Sequence, residues 1–139
     1  MIVTIVPQEA IDFMWPQCEP HLSRAVERAS EMFDVSDIYL GAKMGYYGLW
    51  VVMEGEQVIA SYSTRMVSYP KRKALVIDFM GGDKLNEWLP QMVEVTGDFA
   101  KLNGCSNLEA YGRHGWKRPL AKLNWTADTV CYNLELNNE

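Results

Sequence analysis

Cysteine and histidine are scarce: Cys18, Cys105 and Cys131, with His21 and His114, are the whole supply in 139 residues. The cysteines are odd in number, far apart and never in a C-x-x-C arrangement, so neither a disulfide framework nor a four-ligand zinc site is expected. All three read as reduced, mostly buried thiols, which suits a reducing cytosol. Long apolar runs are missing too, and none approaches the roughly 20 residues of a membrane span. Residues 1–15 carry Glu9 and Asp12 where a signal peptide would be basic and then apolar. A soluble, cytoplasmic chain with no membrane contact is the expectation. There is no Gly-x-Ser-x-Gly elbow and no suitable Cys-His pair, which argues against a nucleophilic hydrolase. Basic charge is in deficit, with 13 Lys and Arg against 18 Asp and Glu for a net charge of −5, so no general attraction to nucleic acid is expected.

What is present is globular. Apolar residues at 48% and charged residues at 22% exclude disorder and repeat classes, and residues 1–139 make one domain large enough for its own core. The basic residues that do occur gather in Lys71-Arg72-Lys73 and in Arg113, Lys117, Arg118 and Lys122. These clusters are either solvated faces or the neighbourhood of a phosphate-bearing ligand.

The hydropathy pattern gives an order of elements. Residues 2–6 are a β-branched run ended by Pro7, a first strand. From Gln8 to about Phe33 the pattern is helical, with Leu22, Ala25, Val26, Ala29, Met32 and Phe33 on one face and breaks expected at Pro16 and Pro20. A second short helix covers residues 36–43. Residues 49–53 and 58–67 flank Glu54-Gly55-Glu56 as an antiparallel hairpin. Residues 74–80 are a continuously apolar strand that belongs inside a sheet. Gly81-Gly82-Asp83 then opens the longest helix, with Asp83 as N-cap, Leu85, Trp88, Leu89, Met92, Val95, Phe99 and Leu102 on one face, and Asn103-Gly104 as its stop. A strand at 107–111, a helix at 116–123 and a last strand at 126–136 complete the series β-α-α-β-β-β-α-β-α-β, a mixed α/β class.

An apolar strand running through two glycines into a helix N-terminus points backbone N–H groups at an anion, although Gly-Gly also serves as a plain tight turn. Asp78 interrupts that strand and is a candidate base, or else a carboxylate on the hydrogen-bonded side of the sheet. Glu109, Tyr111 and His114 follow on the next strand and loop, where a strand tyrosine is usually a packing residue; the base roles of Glu109 and His114 and the acid role of Tyr111 are what the resemblance given below implies. Trp50, Trp88, Trp116 and Trp125 line either an acceptor pocket or the core. His21 falls on the exposed side of its helix and receives no role.

The element order resembles the GNAT acyltransferase fold over nearly the whole chain. More specifically, Met80-Gly81-Gly82, Glu87-Trp88, Ala100-Lys101-x-x-Gly104-Cys105 and Gly112-Arg113-x-Gly115-Trp116 are similar to a set of small GNAT-like proteins of tailed bacteriophages. The resemblance implies a mixed, mostly antiparallel sheet whose strand 74–80 splays from strand 107–111 to admit the pantetheine arm of acetyl-CoA. It implies Ile77, Asp78, Phe79 and Met80 along that arm, Gly81, Gly82, Asp83 and Lys84 at the pyrophosphate, and Arg113 gripping the diphosphate or an acceptor carboxylate. Asp78, Glu109 and Tyr111 become the catalytic candidates, with acetyl-CoA as co-substrate, no metal and an amine-bearing acceptor.

The chain departs from the family in two ways. Its phosphate loop is short and carries Asp83, and Leu120 stands where many members have a proton-donating tyrosine. The resemblance therefore leaves two functions open: an N-acetyltransferase, or a non-catalytic protein of the same fold acting by protein contact. For a phage-encoded chain these place it in the host cytoplasm or on the virion.

Overall fold

A computed structural model of the chain describes residues 1–27, 32–112 and 114–136. Ala29, Arg113 and the His114 side chain, all named above, lie outside what is described. The elements are β1 (Ile2–Ile5), α1 (Ile11–Val26), α2 (Val35–Lys43), β2 (Gly48–Glu54), β3 (Gln57–Ser68), β4 (Lys73–Gly82), α3 (Leu85–Leu102), β5 (Asn107–Ala110) and α4 (Lys117–Ala121). Single turns of 3₁₀ helix precede α1 and α4. The strands form one sheet in the order β1-β2-β3-β4-β5, antiparallel except for the parallel β4–β5 pair.

Helices cover both faces. Under α1 and α2 lie Ile11, Cys18, Leu22, Ile38, Leu49, Val51 and Phe79; under α3 lie Val3, Trp50, Val52, Tyr62, Ile77, Trp88 and Met92. Trp50 is the hub of the second layer. It stacks on Tyr62 at 5.5 Å, meets Phe99 edge-on, and donates its indole N–H to Thr64 Oγ1 at 2.9 Å, so the largest buried ring leaves no polar atom unpaired. No helix among the described residues is long and apolar enough to cross a membrane.

Several expectations are corrected. Helix α1 runs unbroken through Pro16 and Pro20. Both prolines sit on its exposed side, as does Asp12, so the carbonyls they leave without donors, those of Asp12 and Pro16, can be hydrated. Helix α1 ends at Val26, and Met32 and Phe33 lie beyond it. Helix α2 starts one residue early because Asp34 and Asp37 close a capping box. On α3, Leu102 is exposed and Thr96 takes a buried place, its hydroxyl paired with Tyr62 at 2.7 Å. Residue 84, not Asp83, occupies the N-cap position of α3.

Residues 126–136 form no strand and are exposed throughout, so Cys131 is an exposed thiol while Cys18 and Cys105 are buried. His21 is half-buried: Arg24 donates to its Nδ1 at 2.8 Å, and its Nε2–H donates to the Val58 carbonyl at 2.9 Å, tying α1 to β3.

Candidate active site

The site is built where β4 leaves β5. Parallel pairing runs from Ala74 opposite Asn107 to Ile77 opposite Ala110, and a last bond joins the Tyr111 N–H to the Ile77 carbonyl at 3.3 Å. Beyond that point β4 continues to Gly82, paired with β3 only. The strands therefore part after Ile77, within the strand 74–80 that the resemblance expects to splay.

A bulge accompanies the parting. Thr64 faces Ile77 while Ser63 faces Phe79, so Asp78 is the extra residue. The insertion reverses the alternation of β4: Ile77 enters the layer under α3, whereas Phe79 enters the layer under α1. From Asp78 to Gly82 the backbone edge that faces away from β3 has no strand partner among the described residues. An edge of this kind can accept an extended, amide-bearing chain.

Gly81 and Gly82 end this edge, and packing accounts for both. A methyl group on Gly81 would run into the His21 carbonyl of α1, and one on Gly82 into Ala60 of β3; Gly82 also has φ 145°. Lys84 then adopts a left-handed conformation, φ 58° and ψ 36°, that turns the chain into α3. The Asp83 N–H is used by the Ile59 carbonyl at 2.9 Å, but the N–H groups of Lys84, Leu85 and Asn86 have no protein acceptor among the described residues. These donors lie at the positive end of an 18-residue helix, the arrangement that suits a bound anion. The Lys84 ammonium is drawn away to Glu54 Oε1 at 2.8 Å, and that bond raises its pKa. Asp83 has Arg24 at 3.9 Å, which offsets part of its charge.

A polar and aromatic rim stands on the other face of the parting. Arg65, Val76 and Glu109 are cross-strand neighbours in one row. Arg65 holds Asp78 with two bonds, Nε to Oδ2 at 2.5 Å and Nη2 to Oδ1 at 3.2 Å, both side chains being largely buried. Asp78 in turn raises the pKa of Arg65. Tyr69 donates to Glu109 Oε2 at 3.0 Å. Tyr46 and Tyr111 stand near enough to Arg65 to add to the rise in its pKa. Burial, followed by the Asp78 charge, raises the pKa of Tyr47.

Asp78, Glu109 and Tyr111 are thus gathered on one side of the gap, while Phe79, Met80, Gly81 and Gly82 lie along its β4 edge; Ile77, still paired with β5 and buried under α3, falls outside it. Asp78 is not a free carboxylate, since both its oxygens are bound by Arg65. Leu120 is half-buried against the layer under α3, together with Trp116, Leu123 and Trp125, so those two tryptophans pack rather than line a pocket. Trp50 and Trp88 are fully buried core.

Sequence reasoning missed Tyr46, Tyr47, Arg65 and Tyr69. Two signals could have found some of them: the Gly45-Tyr46-Tyr47-Gly48 loop, and the single charge of Arg65 in an otherwise uncharged strand. The basic turn Lys71–Lys73 lies at the opposite end of β4 from Gly82, away from the gap.

No protein-family model and no curated protein sequence matches the chain. Solved structures do. A probable acetyltransferase superposes with a TM-score of 0.73 at 7% identity, covering 100% of both chains. An aminoglycoside acetyltransferase from an uncultured soil metagenomic sample, in complex with sisomicin, gives 0.67 at 11% identity over 98% of this chain and 96% of its own. A ribosomal-protein-alanine N-acetyltransferase from Brucella melitensis biovar Abortus 2308 gives 0.67 at 12% identity over 98% and 100%. Identities this low bear on architecture alone, and the architecture, a mostly antiparallel five-stranded sheet flanked by helices, is GNAT-like.

Proposed function

We propose that this chain is an N-acetyltransferase that moves an acetyl group from acetyl-CoA to an amine. The observation that carries the reading is the parting of β4 from β5 beside the start of α3, in a fold shared with acetyltransferases. The residues fit the co-substrate. The unpaired edge of residues 78–82 suits the two amides of a pantetheine arm, and the N–H groups of Lys84, Leu85 and Asn86 suit a diphosphate. Bound acetyl-CoA supplies an acyl group already activated as a thioester.

The chain's own groups then manage charge and protons. The Glu109 carboxylate and the rings of Tyr46 and Tyr47 draw in and orient a cationic amine, while Asp78 is held neutralised by Arg65. Glu109 keeps one oxygen unbonded to protein among the described residues and takes the proton that the ammonium must lose before its nitrogen can attack. As the C–N bond forms and the C–S bond breaks, the exposed Tyr111 hydroxyl gives its proton to the departing sulfur, the role that Leu120 cannot fill, and the surplus proton on the new amide nitrogen passes to the tyrosinate.

Calorimetry with acetyl-CoA, followed by acetylation assays over a panel of amines, tests the reading. Glu109→Gln is expected to lower kcat by about 10²- to 10⁴-fold with acetyl-CoA affinity unchanged. No heat and no thermal shift at millimolar acetyl-CoA would overturn the proposal. One pair of observations favours a second reading: Leu120 is packed among apolar side chains, and both oxygens of Asp78 are bound. On that reading the fold acts by protein contact alone, as a virion component or an inhibitor of a host enzyme, and one host protein co-purifies while acetyl-CoA does not bind.

A further inference from the structure

We infer that the amine acetylated by this chain is the N-terminus of a polypeptide with acidic residues a few positions further on, laid along a strip that runs from the parting of β4 and β5 to the basic turn at residues 69–72. The inference rests on the acetyl-transfer activity proposed above. That activity leaves unused the Lys71-Arg72-Lys73 cluster and the openness of the rim. Tyr46 is 59% exposed, Tyr111 62% and Tyr69 40%. Sites for small molecules are concave and bury most of their ligand, whereas open rows of tyrosine are the usual material of protein-contact surfaces.

The strip is continuous. Leu75 and Leu108 pack with Ala100 of α3, so their strand neighbours Val76 and Glu109 point to the other face of the sheet, in one row with Arg65. Tyr69 joins this row to the turn. Its hydroxyl donates to Glu109 at 3.0 Å, and its N–H donates to the Arg72 carbonyl at 2.7 Å. The Glu109 bond raises the pKa of Tyr69, and Tyr111 and Arg65 stand near enough to act on it as well.

Charge is divided along the strip. At the parting, Arg65 cancels Asp78, and Glu109 has an oxygen left for a cation. At the turn, Lys71 and Arg72 are exposed and belong to no ion pair among the described residues. An ammonium at one end of a peptide and carboxylates further along match both ends at once. From Asp78 back to Arg72 is about 20 Å at roughly 3.3 Å per residue, which puts the carboxylates near positions five to seven of an extended peptide. In the opposite direction α1 lies on β4: Phe79 belongs to the layer beneath it, and the His21 carbonyl stands where a Gly81 side chain would be. The strip therefore leaves the parting one way only, which suits a chain end, while an internal lysine needs room for chain on both sides. A net charge of −5 disfavours nucleic acid as the occupant.

Kinetics with two decapeptides test this, both with a free α-amine, one with Asp near positions five to seven and the other with Ser there. The acidic peptide is expected to show kcat/KM about tenfold higher, a preference that fades as salt rises. Lys71→Gln with Arg72→Gln should erase the preference through KM, with acetyl-CoA affinity by calorimetry as in the native chain. Lys71→Glu with Arg72→Glu should invert it in favour of a peptide with Lys at the same positions, an outcome that loss of folding does not produce. Equal use of the two peptides by a native chain that binds acetyl-CoA would overturn this inference alone. So would equal acetylation of an internal lysine in the acidic peptide with its α-amine blocked, or competition by a single-stranded oligonucleotide. No binding of acetyl-CoA at all would remove the proposed activity and this inference with it.

Discussion

Gly82 is held between two demands, a backbone angle of 145° and the close approach of Ala60, whereas Gly97 on α3 has open space where a side chain would go. The two glycines should answer alanine in opposite ways. Gly82→Ala combines a strained backbone with overpacking and is expected to cost on the order of 2–4 kcal/mol. Gly97→Ala is expected to gain about 0.5–1 kcal/mol, because alanine is the better helix former. Urea denaturation of the pair checks both signs. Arg65 shows the same logic with charge. Its removal leaves the Asp78 carboxylate, which is 13% exposed, without its cation. Arg65→Met is expected to destabilise the fold by about 1–3 kcal/mol, a loss that should fall when Asp78→Asn is added.

Among the elements, α1 and α2 are joined at the surface by Asp12, which accepts from Lys43 Nζ at 2.7 Å and from the Tyr39 hydroxyl at 2.6 Å. These bonds, that of Lys43 first, lower the pKa of Asp12, and the bond to Asp12 raises those of Lys43 and Tyr39. A depressed carboxyl contributes stability above its unfolded value of about 3.9 and loses it as pH falls through the folded value. The raised partners contribute below their unfolded values of about 10 and lose that contribution at higher pH. The melting temperature of Asp12→Asn should therefore lie slightly below that of the native chain at neutral pH, and the two should converge as pH falls below about 4. Legibility also differs by element. β2, β3, β4 and α3 were readable because their periods and flanking glycines are local properties. The prolines of α1 misled, since local reasoning omits that both face solvent. The last strand failed for the opposite reason: its alternation is real, but no strand among the described residues pairs with it. At the site, Asp78 and the Gly-Gly junction stood out as irregularities in an apolar strand. Arg65 and Tyr46 did not, because a bulge and a distant loop bring them together.

For the molecule as a whole, the distribution of charge matters more than its total. A net charge of −5 opposes a polyanionic ligand, so any attraction must come from a local excess of cations. Lys71, Arg72 and Lys73 stand at the start of the ten-residue β4, and at roughly 3.3 Å per residue they are about 30 Å from Gly82. That separation exceeds the screening length of about 8 Å at physiological salt several-fold. Lys117, Arg118 and Lys122 instead follow β5, which runs parallel to β4, so they emerge at the end where the strands part, and all are exposed. Neutralising this second group with glutamine should weaken acetyl-CoA binding and flatten its salt dependence, while Lys71→Gln with Arg72→Gln should leave both unchanged. Titrations across a range of ionic strength decide between them. Equal losses from the two ends would mean that the ligand does not sit at the parting, and would move the candidate site elsewhere on the sheet.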